Sequence, residues 1–136
     1  MGMTLELSIA DRDAILAHAR SSAVEVCGLL LGTGSRVVRV VPCTNVAADP
    51  ARFFEIDPAA LIAAHRGARA GGPAVIGHYH SHPSGDARPS RRDADDAAAD
   101  GAVWLVAAGA HLTAWRAVAD GALHGRFDPV ALVVTA

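Results

Sequence analysis

The stretch from Ala74 to Asp93 constrains the fold of this chain more than any other. Its apolar lead-in, Ala74-Val75-Ile76, predicts a buried strand that runs through Gly77-His78-Tyr79-His80-Ser81. Side chains two apart on a strand share a face, so His80 and His82 present their imidazoles together while Ser81 points the other way. Pro83 cannot extend a sheet ladder and Gly85 loosens the chain, so a loop follows. Helix is expected to resume at Ser90, a good N-cap, with Asp93 three residues on and the breaker-free run Ala94 to Ala99 behind it. The loop can therefore fold Asp93 back beside the two histidines.

Two imidazoles and one carboxylate form a ligand set for zinc, and three protein ligands leave the fourth tetrahedral position to water. An open position implies catalysis, because a metal of this kind makes hydroxide available near neutral pH. Ser90 and Asp93 also have a purely structural reading, since serine at the cap and a carboxylate at the third position stabilise any helix start. The histidines at matching distance favour the metal. A proton carrier is still needed, and Glu25 is the candidate: it interrupts the apolar run Ala23-Val24-Glu25-Val26-Cys27-Gly28-Leu29-Leu30-Leu31. Such a carboxylate either lies at a solvent-facing strand end or pairs with a cation, a proton or metal-bound water.

Glu25 with Cys27-Gly28-Leu29-Leu30-Leu31-Gly32, then His80-Ser81-His82-Pro83, then Ser90 and Asp93, resembles the JAMM metalloprotease family, also called MPN-plus. Phe54-Glu55-Ile56-Asp57-Pro58 is similar to a segment of its prokaryotic members, and the resemblance extends over nearly the whole chain. It implies one zinc per chain held by His80, His82 and Asp93, with Glu25 activating water and passing its proton to the leaving amine. It gives Ser90 the oxyanion. It further implies a curved sheet flanked by helices, similar to cytidine deaminases, and a substrate that is a ubiquitin-like or sulfur-carrier protein cleaved after its C-terminal diglycine.

At 136 residues, 51% hydrophobic and 19% charged, the chain is expected to form one compact α/β domain spanning residues 1–136. A net charge of −2 with no basic cluster beyond Arg91-Arg92 argues against a nucleic-acid surface. All 12 basic residues are arginine, which leaves no lysine for conjugation. Cys27 and Cys43 show neither CxxC spacing nor a secreted disulfide framework, and no apolar run nears the ~18 residues that span a bilayer. Met1-Gly2 is weighed as a myristoylation start, but Glu6 stands where serine or threonine is wanted. These features predict a soluble, cytoplasmic protein.

Along the chain, a strand over Thr4 to Ile9 is expected to precede a helix from Asp11 to about Arg20. Strands at Val24 to Gly32 and Arg36 to Val41 flank a hairpin turn at Thr33-Gly34-Ser35. Cys27, on the face of Glu25 by alternation, can lie near the metal or serve as a core thiol, and the core is preferred. The loop of residues 43–52 either contacts substrate or simply connects. Asp57-Pro58 starts a helix that runs to about Arg69. His78 is given a packing role. His18, His65, His111 and His124 are expected to lack partners, and Arg91–Asp95 and Arg92–Asp96 are spaced for ion pairs. Trp104 and Trp115 are placed on adjacent strands as core anchors, with extended segments at Leu123 to Phe127 and Val130 to Thr135.

Four rivals share parts of this pattern. A dead scaffold would lack the five motif residues. A zinc deaminase would need a Pro-Cys-x-x-Cys set that is absent. A RadC-like DNA-associated role fits His82-Pro83-Ser84-Gly85-Asp86 but lacks a basic surface. A hydrolase of small amides would use the same site.

Overall fold

The computed structural model describes residues 3–136, so the Met1-Gly2 start lies outside them. The elements are β1 (Thr4–Ser8), α1 (Ile9–Arg20), β2 (Cys27–Thr33), β3 (Arg36–Cys43), α2 (Pro58–Arg69), β4 (Ala74–Ser81), α3 (Arg91–Asp96), β5 (Val103–Ala108), β6 (His111–Gly121) and β7 (Gly125–Thr135). The strands run in the order β1-β3-β2-β4-β5-β6-β7. β1 pairs in parallel with β7 along its whole length and touches β3 through Glu6 and Arg36, which closes the curved sheet on itself. This is the expected mixed α/β architecture, a curved sheet flanked by helices.

The two faces of the sheet bury different material. α1 packs against β1 and β3 to β7, and its Ile15 and Leu16 join Leu5, Leu7, Leu30, Tyr79 and Leu105 in the main core. The alternation of Leu5 and Leu7 thus works as read from the sequence. Gly28 belongs to this face because of Tyr79: a Cβ there would fall inside the tyrosine ring. The opposite face carries a smaller cluster of Ala94, Ala97, Trp104, Ala117 and Phe127, with Phe54 and Trp115 against it. Trp104 and Trp115 are direct cross-strand partners, as expected. His78, His80 and His82 lie toward this second face, by the alternation of β4. Among the described residues no helix is long and apolar enough to cross a membrane.

Several boundaries move from expectation. α1 starts earlier, at Ile9, because Ser8 accepts the Asp11 N–H at 3.0 Å as N-cap. β2 begins at Cys27 rather than Val24, so Glu25 sits in the lead-in and not on the strand. α3 stops at Asp96 although Ala97 to Ala99 could continue it. Its last turn holds acidic and no basic residues, which opposes the helix dipole, and Ala97 turns extended to return the chain to β5. The two C-terminal segments merge into one strand through Pro129, which precedes the stretch 131–135 that pairs with β1.

Candidate metal centre

β4 delivers His80 from its end and His82 from just beyond it, and α3 returns Asp93 from its first turn. His80 Nε2 lies 3.0 Å from His82 Nε2, and Asp93 Oδ2 lies 3.1 Å from each. Three potential ligand atoms thus make a nearly equilateral triangle. A zinc tetrahedron with bonds of about 2.0–2.1 Å has edges of about 3.3–3.4 Å, so the three atoms already approximate one face of it. His80 is fully buried and Asp93 is 6% exposed.

Proton accounting separates this triangle from an ordinary hydrogen-bond network. His82 Nδ1 lies 2.8 Å from the Asp86 carbonyl oxygen, which only accepts, so Nδ1 must carry the hydrogen. In the neutral ring Nε2 is then a bare lone pair, facing the Asp93 carboxylate at 3.1 Å. His80 has at most one hydrogen to share between them. Lone pairs converging with too few protons fit a cation, and the carbonyl partner is the usual way a ligating histidine is oriented.

In the metal-free site a proton on His82 Nε2 can take the place of a cation, and the titration directions reflect that protonated form. Burial pushes the Asp93 carboxyl up, but hydrogen bonds from His80 and His82, helped by the Ser90 N–H, outweigh it and hold the acid well below its usual range. Burial pushes His80 down, with Asp93 opposing. For His82 burial also lowers, yet the Asp93 and Asp86 hydrogen bonds raise it above its ordinary value.

Glu25 is buried, and one of its carboxylate oxygens lies within 4.8 Å of ligand nitrogens of both histidines. Burial raises it, His82 pulls it down and Asp93 pushes it up again, to about 7. A carboxyl poised there can hold or release a proton at neutral pH. Ser90 caps α3: its Oγ accepts the Asp93 N–H at 3.0 Å, while its own N–H donates to Asp93 Oδ2 at 2.8 Å. The cap uses a lone pair of Oγ and leaves the hydroxyl hydrogen free. Glu25, His82 and Ser90 line one cleft of about 310 Å³, with Ala51, Arg52 and Arg88 on its walls.

All five sequence-predicted site residues therefore converge. Cys27 stands beside His80 in the β2–β4 ladder but is fully buried in the core, and that burial, with Cys43 and Glu25, pushes its thiol up to about 12. His78 packs edge-on to Trp104 at 4.3 Å, in the role given to it. Two histidines depart from expectation: His18 Nδ1 is 2.7 Å from the Tyr79 hydroxyl, and His124 Nε2 donates to the Pro89 carbonyl at 3.1 Å. Of the two spaced ion pairs, Arg92–Asp96 forms at 2.9 Å, and the salt bridges of the described residues do not include Arg91–Asp95. Sequence reasoning missed Phe54, whose ring stacks on His80 at 4.3 Å with a tilt of 14°. Its signals were the aromatic pair Phe53-Phe54 and its place at the head of the family-like segment Phe54-Glu55-Ile56-Asp57-Pro58, neither of which pointed to His80.

Residues 9–118 match the family described as prokaryotic homologs of the JAB domain. A desampylase from Haloferax volcanii is 38% identical over 109 residues, which is 75% of this chain and 78% of the relative. A protein from Thermus thermophilus, named as a probable TtuB-protein conjugate cleaving protease, is 41% identical over 71 residues, 52% of this chain and 48% of that one. The solution structure of a Desulfitobacterium hafniense protein superposes with a TM-score of 0.81 at 27% identity, covering 97% of this chain and 93% of that one. With its motif residues gathered in one place and its sequence matched over most of its length, this chain belongs to the prokaryotic branch of the JAB domain family.

Proposed function

We propose that this chain is a zinc-dependent isopeptidase, a single domain over residues 1–136. Its substrate is a conjugate of a ubiquitin-like or sulfur-carrier protein, cut after the C-terminal diglycine. The observation that carries this reading is the triangle of His80 Nε2, His82 Nε2 and Asp93 Oδ2, with the His82 tautomer fixed by the Asp86 carbonyl. The substrate class is supported by the relatives named as a desampylase and a conjugate cleaving protease.

His80, His82 and Asp93 would hold the zinc, which when bound supplies Lewis acidity to water and to the scissile carbonyl. Glu25 takes a proton from the attacking water and gives it to the leaving amine, a task suited to a carboxyl near 7. The Ser90 hydroxyl, its oxygen already tied to the Asp93 N–H, donates to the oxyanion. Two free thiols, Cys27 and Cys43, directly opposed on β2 and β3, support a reducing, cytoplasmic setting.

Zinc per chain, measured by elemental analysis after mild dialysis on folded wild type and Asp93→Ala, tests the root of this reading. Close to one zinc in wild type and much less in the variant is expected. Folded wild type that takes up no zinc even when it is added back would sink it.

A further inference from the structure

Glu25 precedes β2, so the sheet ladder does not hold it. Its N–H donates to the Pro50 carbonyl at 2.9 Å, and its carbonyl accepts from Asn45 Nδ2 at 2.9 Å. The same Nδ2 donates to the Phe53 carbonyl at 2.9 Å, while Asn45 Oδ1 accepts the N–H groups of Ala47 and Glu55, both at 3.0 Å. Every partner of Nδ2 is a carbonyl and every partner of Oδ1 is an N–H. The orientation of the amide is therefore fixed, and its full inventory of two donors and two acceptor sites is used.

Those four partners lie on two separate pieces of chain. One is the Glu25 lead-in, and the other is the loop that carries Ala51 and Arg52 on the cleft wall and Phe54 on the His80 ring. A connection made only to shape the loop would need Ala47, Phe53 and Glu55. The bond to the Glu25 carbonyl reaches beyond that, to the segment bearing the carboxylate. Near-attack geometry depends on placement at the scale of an ångström, so a fixed backbone matters for a base outside regular structure.

We propose that Asn45 is the positioning residue of Glu25, locking the segment of the proton carrier to the loop that walls the cleft. The proposal rests on the reading of Glu25 as proton carrier. It assigns Asn45 no contact with substrate or metal. Asn45→Asp separates its two halves: the carboxylate keeps the acceptors for Ala47 and Glu55 but cannot donate to Glu25 and Phe53. Asn45→Ala removes both halves.

The test is residue-resolved hydrogen exchange on zinc-loaded wild type and both variants, joined to cleavage of an isopeptide-linked conjugate of a ubiquitin-like modifier. In both variants the Glu25 amide is expected to exchange at least about tenfold faster. The Val26 amide, which donates to Ser81 Oγ at 2.9 Å, should keep its protection. Zinc content should stay at the wild-type level, and kcat should fall about tenfold or more with KM within about twofold, Glu25→Gln marking the floor. A Glu25 amide as protected as in wild type, or full kcat in Asn45→Asp, would overturn the proposal. If wild type cleaves no such conjugate, the isopeptidase reading fails separately, and the exchange comparison alone decides whether Asn45 holds Glu25.

Discussion

His82 donates its Nδ1–H to the carbonyl oxygen of Asp86 across 2.8 Å, and this bond settles which ring nitrogen is left for other work. The Nε2 that remains is aimed at Asp93 Oδ2 and His80 Nε2. A backbone carbonyl in the loop after the strand thus presents the nitrogen that the proposed reading gives to zinc.

That preparation makes metal affinity depend on pH. Burial lowers His82, but its hydrogen bonds to Asp93 and the Asp86 carbonyl outweigh it, so in the metal-free protein the ring titrates above 6.5. Zinc must displace this proton at acid pH and finds the nitrogen free at alkaline pH. Apparent affinity should fall about tenfold per pH unit below the His82 midpoint and level off above it, with His80 already neutral. Competition against a chromophoric chelator from about pH 5.5 to about pH 8.5 would show the slope. Affinity flat across that range would remove His82 Nε2 from the ligand set.

Glu25 should carry a cost in stability. The folded state keeps its proton to about 7, whereas the unfolded chain releases it near the ordinary glutamate value of 4.5. Between those limits the native state holds more protons, so its advantage is whole below the lower value and is lost as pH rises toward the upper one. Metal-free Glu25→Gln should therefore exceed wild type by about 1–2 kcal/mol near pH 8 and by little near pH 4.5, a discounted figure because solvent relaxes around the cleft. The same variant should keep zinc and lose about 10²–10⁴ in turnover. Urea unfolding with chelator present, at both pH values, reads the stability. Equal stabilities at pH 8 would mean that Glu25 is ionised without penalty.

The triangle of His80, His82 and Asp93 was legible in the sequence because local rules hold it. Alternation along β4 puts His80 and His82 on one face, and the box between Ser90 and Asp93 is a four-residue device. Asp57 and Pro58 likewise start α2 as their types require. What stayed hidden depends on distant partners. Glu25 lies off the strand because Asn45 and Pro50, some 20 and 25 residues away, fix its backbone. The partners of His18 and His124 are 61 and 35 residues away, so no local pattern announces them. Closure of the sheet needs β1 beside β7, the two ends of the described chain. The early end of α3 comes from the demand to re-enter the sheet, which overrides alanine propensity.

Ser90 caps α3 and, in the proposed mechanism, also donates to the oxyanion; two substitutions separate these duties. Alanine removes both hydroxyl and cap, and should cost about 1 kcal/mol of stability together with about 10² in kcat. Glycine is a tolerable N-cap, costing a few tenths of a kcal/mol, roughly, but also lacks the hydroxyl. Ser90→Gly should therefore lose as much rate as Ser90→Ala while melting closer to wild type, with zinc retained in both. Thermal melts beside steady-state rates would check this. A glycine variant with wild-type kcat would leave Ser90 as a cap alone.

Phe54 touches His80, a proposed zinc ligand, without offering a ligand atom of its own. Its ring lies nearly parallel to His80 at 4.3 Å and also faces His78 and Trp104, at 5.4 and 5.9 Å. It shields the fully buried His80 from the side of the 46–55 loop and limits how the imidazole can tilt. Phe54→Ala should lose about 1–3 kcal/mol, less than a fully buried phenylalanine, because the ring is only half-buried. Packing that orients a ligand acts on the metal as well, so zinc affinity should drop about 10- to 100-fold. Phe54→Leu restores volume without a flat face and should recover most of the stability but less of the affinity. Chelator competition alongside urea unfolding separates the two quantities. If affinity and stability recover together in the leucine variant, the ring acts by filling space, and its stacking on His80 has no separate effect on the metal.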